Sequence, residues 1–189
     1  MQITFSTENP DLPKHKCLAL GIFADEKPPR GICGLIDWRL NGMISKEIKQ
    51  GMISGEFKEK IAIPFPQRIG AEMLLLFGLG NSYDINYDKI YNAAYLIAEA
   101  VEGMSLNNFA FEILGESRSR LITSNIVEAM ITGFFDSLSA DIEKLSSMTA
   151  CVVTSPALLQ EVSAGIQQFK TNVQDKGSVV VGELENSFA

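Results

Sequence analysis

Apolar runs and helical patterns alternate along the 189-residue chain. The run at residues 73–77 is continuously apolar, which is typical of a strand buried on both faces. Similar or shorter apolar runs predict the other strands, at residues 3–5, 17–23, 60–63, 109–114, 148–153 and, at the end of the chain, 179–181. Since helical segments separate these strands, the pattern predicts an α/β fold with a mostly parallel central sheet and helices on both faces.

The clearest predicted helix follows the central apolar run. From Tyr87 to Met104, apolar residues recur at steps of three and four and form one stripe. Asn86 is predicted to cap the start of this helix, and Gly103 to end it. An earlier, shorter helix is predicted at residues 44–49, ending near Gly51.

Two more helices are predicted in the second half of the chain. One covers roughly residues 120–135, packs through an apolar stripe, and carries Gly133, which would allow a neighbour to approach closely. The stripe of this helix consists of Ile122, Ile126, Met130 and Phe134. The other helix follows Ser155 and Pro156, which are predicted to supply a cap and a first-turn proline.

The sequence predicts one domain over residues 1–189, because it contains no internal repeat, low-complexity segment or composition shift. Residues 173–189 are predicted to form a possible terminal strand and a frayed tail. A content of 46% hydrophobic and 21% charged residues is typical of a globular protein.

Charge and cysteine content narrow the class of protein. Sixteen basic and twenty-three acidic residues give a formal charge of −7, which disfavours nucleic-acid binding. Cys17, Cys33 and Cys151 are widely spaced, and two of them lie in predicted strands as small buried hydrophobic residues. The chain is therefore predicted to work in the reducing cytoplasm, without disulfides. The N-terminus does not resemble a signal peptide, and the longest apolar run is far shorter than the ~20 residues of a membrane span.

Several segments occur in the order found in one enzyme family. The apolar strand that ends at Phe77 runs into Gly78-Leu79-Gly80-Asn81, and a polar spacer then leads to an alanine-rich helix. Further matching segments are Leu20-Gly21-Ile22-Phe23, Asp37 before Leu40-Asn41-Gly42, Phe57-Lys58-Glu59-Lys60, and Ile126-Val127-Glu128-Ala129. Over about residues 17–172 the chain resembles the N-terminal domain of the leucyl aminopeptidases, peptidase family M17.

This resemblance implies a macro-domain-like fold. In the family, peptidase chemistry belongs to a C-terminal domain that holds two metal ions and carries an Asn-Thr-Asp-Ala-Glu-Gly-Arg run, which this sequence does not contain. No catalytic residue, metal ligand or cofactor can therefore be assigned, and the chain is predicted not to be an enzyme. Because the family's N-terminal domain helps build the oligomer, the leading hypothesis is a non-catalytic binding or assembly module. It would associate with itself or dock onto a protein partner.

The candidate ligand site comes from topology. In an open α/β sheet, ligands bind at the carboxyl ends of the strands, close to helix N-termini. The loops expected there contain the candidate residues Gly78, Gly80, Asn81, Ser117, Arg118 and Ser155. Ser117, Arg118 and Ser119 are predicted to start a helix and could hold a phosphate or a carboxylate. A purely structural interpretation is preferred, in which the glycines form a turn, the serines cap helices and Arg118 is solvated.

Two alternative functions follow from the resemblance. Macro domains bind ADP-ribose, so a small-molecule site for ADP-ribose or another nucleotide, with binding or hydrolysis, is one alternative. The Gly-rich loops with a neighbouring Asp or Asn that typical macro domains use are not found. The other alternative is an aminopeptidase-family protein without activity.

Three further features have a structural interpretation. Asp136, Asp141 and Glu143 form the densest acidic cluster and are interpreted as a solvated loop. His15, the only histidine, is interpreted as an exposed loop residue. Trp38 could anchor a partner, but burial in the core is preferred because large aromatic side chains supply much of a small domain's buried surface.

Overall fold

Strands and helices alternate in a computed structural model that describes residues 1–12, 15–116 and 118–174. The strands are β1 (Gln2–Ser6), β2 (Cys17–Phe23), β3 (Lys60–Pro64), β4 (Met73–Gly80), β5 (Asn108–Glu112) and β6 (Thr149–Val153). The α-helices are α1 (Gly31–Arg39), α2 (Met43–Gln50), α3 (Tyr87–Gly103), α4 (Thr123–Leu138), α5 (Ile142–Ser147) and α6 (Leu159–Gln174). The strand predicted at residues 179–181 and most of the predicted tail lie outside the described residues.

The strands form a single mixed sheet in the order β1-β6-β5-β2-β4-β3. Only β3 is antiparallel to its neighbour, at the edge beside β4, and the other pairs are parallel. The predicted mostly parallel sheet is therefore confirmed. The carboxyl ends of β2, β4, β5 and β6 lie along one edge of the sheet, which we call the carboxyl edge.

Helices cover both faces of the sheet, as predicted. Helices α1 and α2 pack on one face against alternate residues of β2 such as Leu18 and Leu20. Helices α3, α4 and α6 pack on the other face, against Cys17 and Ala19. Because β2 is buried on both sides, nearly every position in it is apolar, which explains why its sequence does not alternate.

Two predicted boundaries are wrong at the carboxyl edge. Gly78 and Gly80 belong to β4 and do not form a turn, since their N–H groups donate to Glu59 (2.8 Å) and Gly55 (2.9 Å) in the neighbouring segment. The segment of Arg118 and Ser119 does not start a helix. Both of these residues donate backbone hydrogen bonds to the Gly115 carbonyl, and α4 begins only at Thr123.

The structure tests the predicted caps individually. Asn86 caps α3, because its side chain accepts a hydrogen bond of 2.9 Å from the Lys89 N–H. Gly51 ends α2 in the left-handed conformation, with φ of 77°. The Ser155 prediction is wrong in its chemistry: Ser155 precedes the 3₁₀ turn Pro156–Leu158, but its side chain makes no capping bond. Two short helices, α1 and α5, are absent from the sequence prediction.

Packing of single residues agrees with the sequence in part. The predicted close approach at Gly133 is confirmed, because a Cβ there would lie 2.5 Å from the Tyr91 carbonyl oxygen. The α4 stripe is buried except for Ile122, which is exposed and precedes the helix. Cys17 and Cys151 are buried free thiols, as predicted for cysteines in the strands, and Cys33 on α1 is also buried and free.

The prediction for Trp38 is wrong, and the prediction for His15 is correct only in part. Trp38 is 68% exposed, because α1 contributes Cys33 and Ile36 to the core while Trp38 lies on the outer side, under the Arg39 guanidinium. His15 lies in a loop, but it is half-buried, and desolvation lowers its pKa. Within the described ranges, no helix is long and apolar enough to cross a membrane.

Candidate small-molecule site at the carboxyl edge

A cavity of about 400 Å³ opens at the carboxyl edge, beside the ends of β2, β5 and β6. The neighbouring strands β2 and β5 lead to helices on opposite faces of the sheet, α1 and α4 respectively. Their following loops therefore diverge and leave a crevice between them. This is the topological switch point at which open α/β sheets bind ligands.

The centre of the cavity is a pair of residues on β2 and β5. The Gly21 N–H donates a hydrogen bond of 2.5 Å to Oε1 of Glu112, the last residue of β5. A Cβ on Gly21 would lie only 2.6 Å from the Leu79 side chain, so glycine makes room for Leu79 at the cavity wall. The Gly21 bond thus fixes the Glu112 carboxyl at the end of the sheet.

The Glu112 carboxyl is held in an environment that disfavours its charge. Desolvation raises the pKa of Glu112 from its ordinary value of 4.5 to about 8, and the nearby Glu26 adds to the rise. The bond from Gly21 and the positive charge of Arg118 oppose this effect. At about pH 7 the neutral carboxyl, able both to accept and to donate a hydrogen bond, is therefore the favoured form.

A second group of charged residues also lines the cavity. Arg118 donates from Nε to Oε1 of Glu26, and the Nε of Arg30 lies 4.0 Å from the same oxygen. The Arg30 side chain is 72% exposed, whereas that of Glu26 is 15% exposed. Glu116 also lines the cavity. Two guanidinium groups and two carboxyl groups therefore line the cavity together with Glu112.

The rest of the wall is mostly apolar. It includes the side chains of Phe23, Leu35, Leu79, Ile113 and Leu158. A cavity of this size with apolar walls and a few fixed polar groups has the general make-up of a small-molecule site.

The candidate residues from the sequence are only partly brought together. Arg118 and Ser155 line the cavity. Gly78, Gly80 and Asn81 are not among its described lining residues, because the end of β4 packs against residues 55–59. Ser117 lies outside the described residues. Ligand contact by any of the six stays a prediction.

Sequence reasoning missed the polar residues that define the cavity, Glu26, Arg30 and Glu112. The one available signal was at Glu112, an acidic residue at the end of an apolar strand. Its importance depends on β5 lying next to β2, a neighbour relation that the order of elements along the chain does not reveal.

Other acidic residues serve the fold. Asp136 accepts a hydrogen bond of 2.9 Å from the Tyr91 hydroxyl, and Asp141 caps α5 by accepting from the N–H groups of Glu143 and Lys144. The segment interpreted as a solvated loop thus includes the start of a short helix. In the part of the chain that the structure describes, no group of three or more His, Cys, Asp or Glu residues could hold a metal ion.

Comparison with known sequences identifies the family. The N-terminal domain profile of the cytosol aminopeptidase family matches residues 19–140. The chain belongs to this family. A probable cytosol aminopeptidase of Burkholderia multivorans is 35% identical to this family member over 85 residues, which are 45% of the chain but 16% of the relative. The chain therefore matches only a small part of the length of its curated relative.

Solved structures support the same fold for this cytosol aminopeptidase family member. A tomato leucine aminopeptidase superposes with a TM-score of 0.62 at 17% identity, covering 92% of the chain and 37% of the tomato protein. A Trypanosoma brucei macrodomain in complex with ADP-ribose superposes with a TM-score of 0.65 at 11% identity, covering 90% of the chain and 68% of the macrodomain. The macro-domain-like fold implied by the sequence resemblance is confirmed.

Proposed function

We propose that this chain is a non-catalytic binding module whose ligand is a small molecule held in the carboxyl-edge cavity. The observation that carries the proposal is the Glu112 carboxyl, fixed by the Gly21 N–H inside a cavity of about 400 Å³ at the switch point of the sheet. Fixed polar groups in an apolar cavity orient a ligand, and this position is the usual ligand site of an open α/β sheet.

The non-catalytic part of the proposal concerns the family's peptide-bond chemistry. Two-metal hydrolysis needs several ligands that converge on two cations. The cavity instead offers single carboxyl groups near arginines, and the Glu26 carboxylate is engaged by Arg118. We expect the 189-residue chain to release no product from leucine amide with Mn²⁺ or Zn²⁺. Metal-dependent turnover by the purified chain would contradict this part.

The cavity itself is tested by filling it. Ser155 is exposed at its rim, so Ser155→Trp would block the opening with little effect on the core. Ser163 on α6 is also exposed and lies outside the described cavity lining, so Ser163→Trp is the matched control. Ligand-observed NMR would be run with ADP-ribose and a panel of amino acids and short peptides.

We expect at least one compound to bind the native chain and the Ser163→Trp variant, and to lose binding to the Ser155→Trp variant. Binding that survives Ser155→Trp, or a panel in which nothing binds, would overturn the cavity as the functional site. ADP-ribose is included because the Trypanosoma brucei macrodomain is a structural neighbour solved with that ligand.

A second candidate function is assembly through self-association. It is favoured by the exposure of Trp38, at 68%, near the end of α1. Leu12 is also exposed, and it lies next to this region because Arg39, whose guanidinium stacks over Trp38, pairs with Asp11 at 2.7 Å. Aromatic residues and arginine are enriched in the cores of protein interfaces. Trp38 and Leu12 are not among the described lining residues of the cavity.

Light scattering after size-exclusion chromatography tests self-association. We expect a species larger than the 20.7 kDa chain that Trp38→Ser shifts toward the monomer, while Tyr83→Ser, at a similarly exposed aromatic residue, leaves it unchanged. A native chain that is monomeric at all concentrations would remove this candidate.

We further propose that the chain acts in the cytoplasm, since its curated relatives are named as cytosol aminopeptidases and its three thiols are buried and free.

A further inference from the structure

We propose that copies of this chain associate head to tail, with Ile142 and Glu143 at the start of α5 of one copy seated in a groove beside α1 of the next. This inference rests on the self-association candidate and deepens it, because it names the two surfaces that meet. It comes from two exposed apolar surfaces of opposite charge that lie on opposite faces of the sheet.

The first surface is a groove of about 280 Å³ between the end of α1 and the loop that joins β3 to β4, which we call the α1 groove. Leu40, Met43 and Ile63 are among the apolar residues that line it. Since one water molecule occupies roughly 30 Å³, the α1 groove has room for a complete aliphatic side chain.

The shape of the α1 groove is built into the backbone. Among the described residues, five non-glycine residues have a positive φ, and three of these line the groove: Asn41 (56°), Phe65 (48°) and Arg68 (67°). This conformation is unfavourable for a bulky residue such as Phe65, and strained residues of this kind cluster at functional sites. The Arg68 guanidinium also donates a hydrogen bond of 2.6 Å to the Asn41 side-chain oxygen, which ties the two sides together. The groove is therefore preformed.

Charge and exposure indicate what the α1 groove binds. Phe65 is 80% exposed, and the exposed Trp38 lies next to the groove because the guanidinium of the lining residue Arg39 is 5.0 Å from its ring. Arg39 and Arg68 are the charged residues of the described lining. On a chain with a formal charge of −7, this positive apolar surface is complementary to acidic apolar surfaces of other copies.

The start of α5 is such a surface. Ile142 is 79% exposed, and its neighbour Glu143 is exposed as well. The adjacent Lys144 is paired with Glu102 and lies 3.9 Å from Asp141, so its charge is compensated. Ile142 thus offers an apolar side chain to the groove, and Glu143 offers a carboxylate to its arginines.

The two surfaces belong to opposite faces of the sheet. Helix α5 packs through Leu145 into the core under α3, α4 and α6, whereas Leu40 and Ile63 pack on the core under α1 and α2. The contact therefore joins two copies and not two parts of one copy. Because it joins unlike surfaces, each end of a pair still presents one surface to a further copy, and the product is a ring or an open chain.

Light scattering after size-exclusion chromatography, over a range of concentrations, tests the two surfaces with two variants. Arg68→Glu reverses a charge of the α1 groove at an exposed residue. The double variant Ile142→Ser, Glu143→Gln removes the apolar side chain and the carboxylate from α5. Each variant alone should dissociate toward the 20.7 kDa monomer, with a dissociation constant about tenfold or more above that of the native chain.

An equimolar mixture of the two variants tests the head-to-tail arrangement itself. The double variant keeps an intact α1 groove and Arg68→Glu keeps an intact α5 surface, so one contact forms between them and neither partner extends it. We expect a complex of about twice 20.7 kDa that neither variant forms alone. Arg120→Glu and Ile122→Ser, at exposed residues of the same types, are the matched controls and should associate like the native chain. The melting temperature of each variant checks that it is folded.

The outcomes separate this inference from the candidate on which it rests. If the double variant associates like the native chain while Trp38→Ser is monomeric, self-association stands and the head-to-tail contact is wrong. A mixture that stays monomeric would also overturn the contact. If the native chain is monomeric at all concentrations, both the self-association candidate and this inference are wrong.

Discussion

At the scale of single residues, Glu112 combines a structural cost with a candidate function. The Glu112 carboxyl lies at the end of β5, where it is shielded from water. It is stable there mainly as the neutral acid, because its surroundings do not replace the hydration that an ionised carboxylate loses. The Gly21 N–H offsets only part of that loss. Groups kept at such a cost are frequent at functional sites, and this is why Glu112 is the centre of the proposed cavity site.

The same residue predicts how stability depends on pH. Because the pKa of Glu112 is raised to about 8 in the folded chain from 4.5, the folded chain holds a proton that the unfolded chain releases. The contribution of Glu112 to the free energy of unfolding should therefore fall as pH rises from about 4.5 to about 8. Glu112→Gln should remove this contribution and be more stable than the native chain at about pH 9, by up to about 5 kcal/mol, since a pKa difference of one unit corresponds to about 1.4 kcal/mol.

Urea denaturation at about pH 5, 7 and 9 measures this effect. Near the lower pH the native chain and Glu112→Gln should be almost equally stable, because both carry a neutral side chain. If the difference between them is the same at all three values, Glu112 does not titrate as described.

Residue-scale properties were the hardest to predict from the sequence. Glu112, Glu26 and Arg30 have no local motif, and only the sheet order brings Glu112 next to the loop that carries Glu26 and Arg30. Trp38 shows the opposite failure: its hydrophobicity suggested the core, but a helix of nine residues buries only one side, and Trp38 lies on the other. Local composition cannot determine which side of a short helix faces the sheet.

At the scale of elements, close packing of helices depends on two glycines. Gly133 lets α4 approach α3, and Gly165 lets α6 approach α4, where an added Cβ would lie 2.4 Å from the Ser124 carbonyl oxygen. These contacts involve backbone atoms, which cannot move aside as a flexible side chain would. The distances between α3, α4 and α6 on this face therefore depend on the absence of a side chain at Gly133 and Gly165.

Gly133→Ala tests this spacing. Alanine favours a helix by about 1 kcal/mol relative to glycine, but overpacking against the Tyr91 carbonyl costs about 1–3 kcal/mol. We expect a net loss of stability of up to about 2 kcal/mol, measured by urea denaturation. Gly103→Ala is the control, since Gly103 ends α3 with nothing within 4 Å of an added Cβ, and it should be neutral or slightly stabilising. A stabilised Gly133→Ala variant would contradict the packing argument.

Elements were predictable where the sequence carried a long-range periodic pattern or a local cap. Helix α3 has seventeen residues, a stripe and an Asn86 cap, and its bounds were predicted almost to the residue. The end of β4 was not predicted, because Gly78-Leu79-Gly80 has the composition of a turn. There the backbone of residues 55–59 pairs with Gly78 and Gly80, and this tertiary contact keeps them in the strand.

At the scale of the whole molecule, alternation of strands and helices was sufficient for the fold class. The central strands supply both cores: Leu74 and Leu76 of β4 face α1 and α2, while Leu75 and Phe77 face the other helices. A substitution that disturbs helix packing on one face of the sheet should therefore also affect packing on the other face, because both layers pack on the same strands. The antiparallel direction of the edge strand β3 and the order of the strands could be determined only from the structure, because neither affects the hydrophobic periodicity of the sequence.

This sharing of strands predicts cooperative unfolding of the chain as one domain. Trp38, the single tryptophan, reports on α1, whereas far-UV circular dichroism is dominated by α3, α4 and α6 on the opposite face. In urea, the two signals should give the same midpoint, and Gly133→Ala should lower both midpoints equally although it lies on the face away from Trp38. The reason is that neither helical layer can keep its apolar face buried once the sheet between them separates. Two distinct midpoints, or a Gly133→Ala shift confined to circular dichroism, would mean that the two faces unfold independently and that the single-domain prediction is wrong.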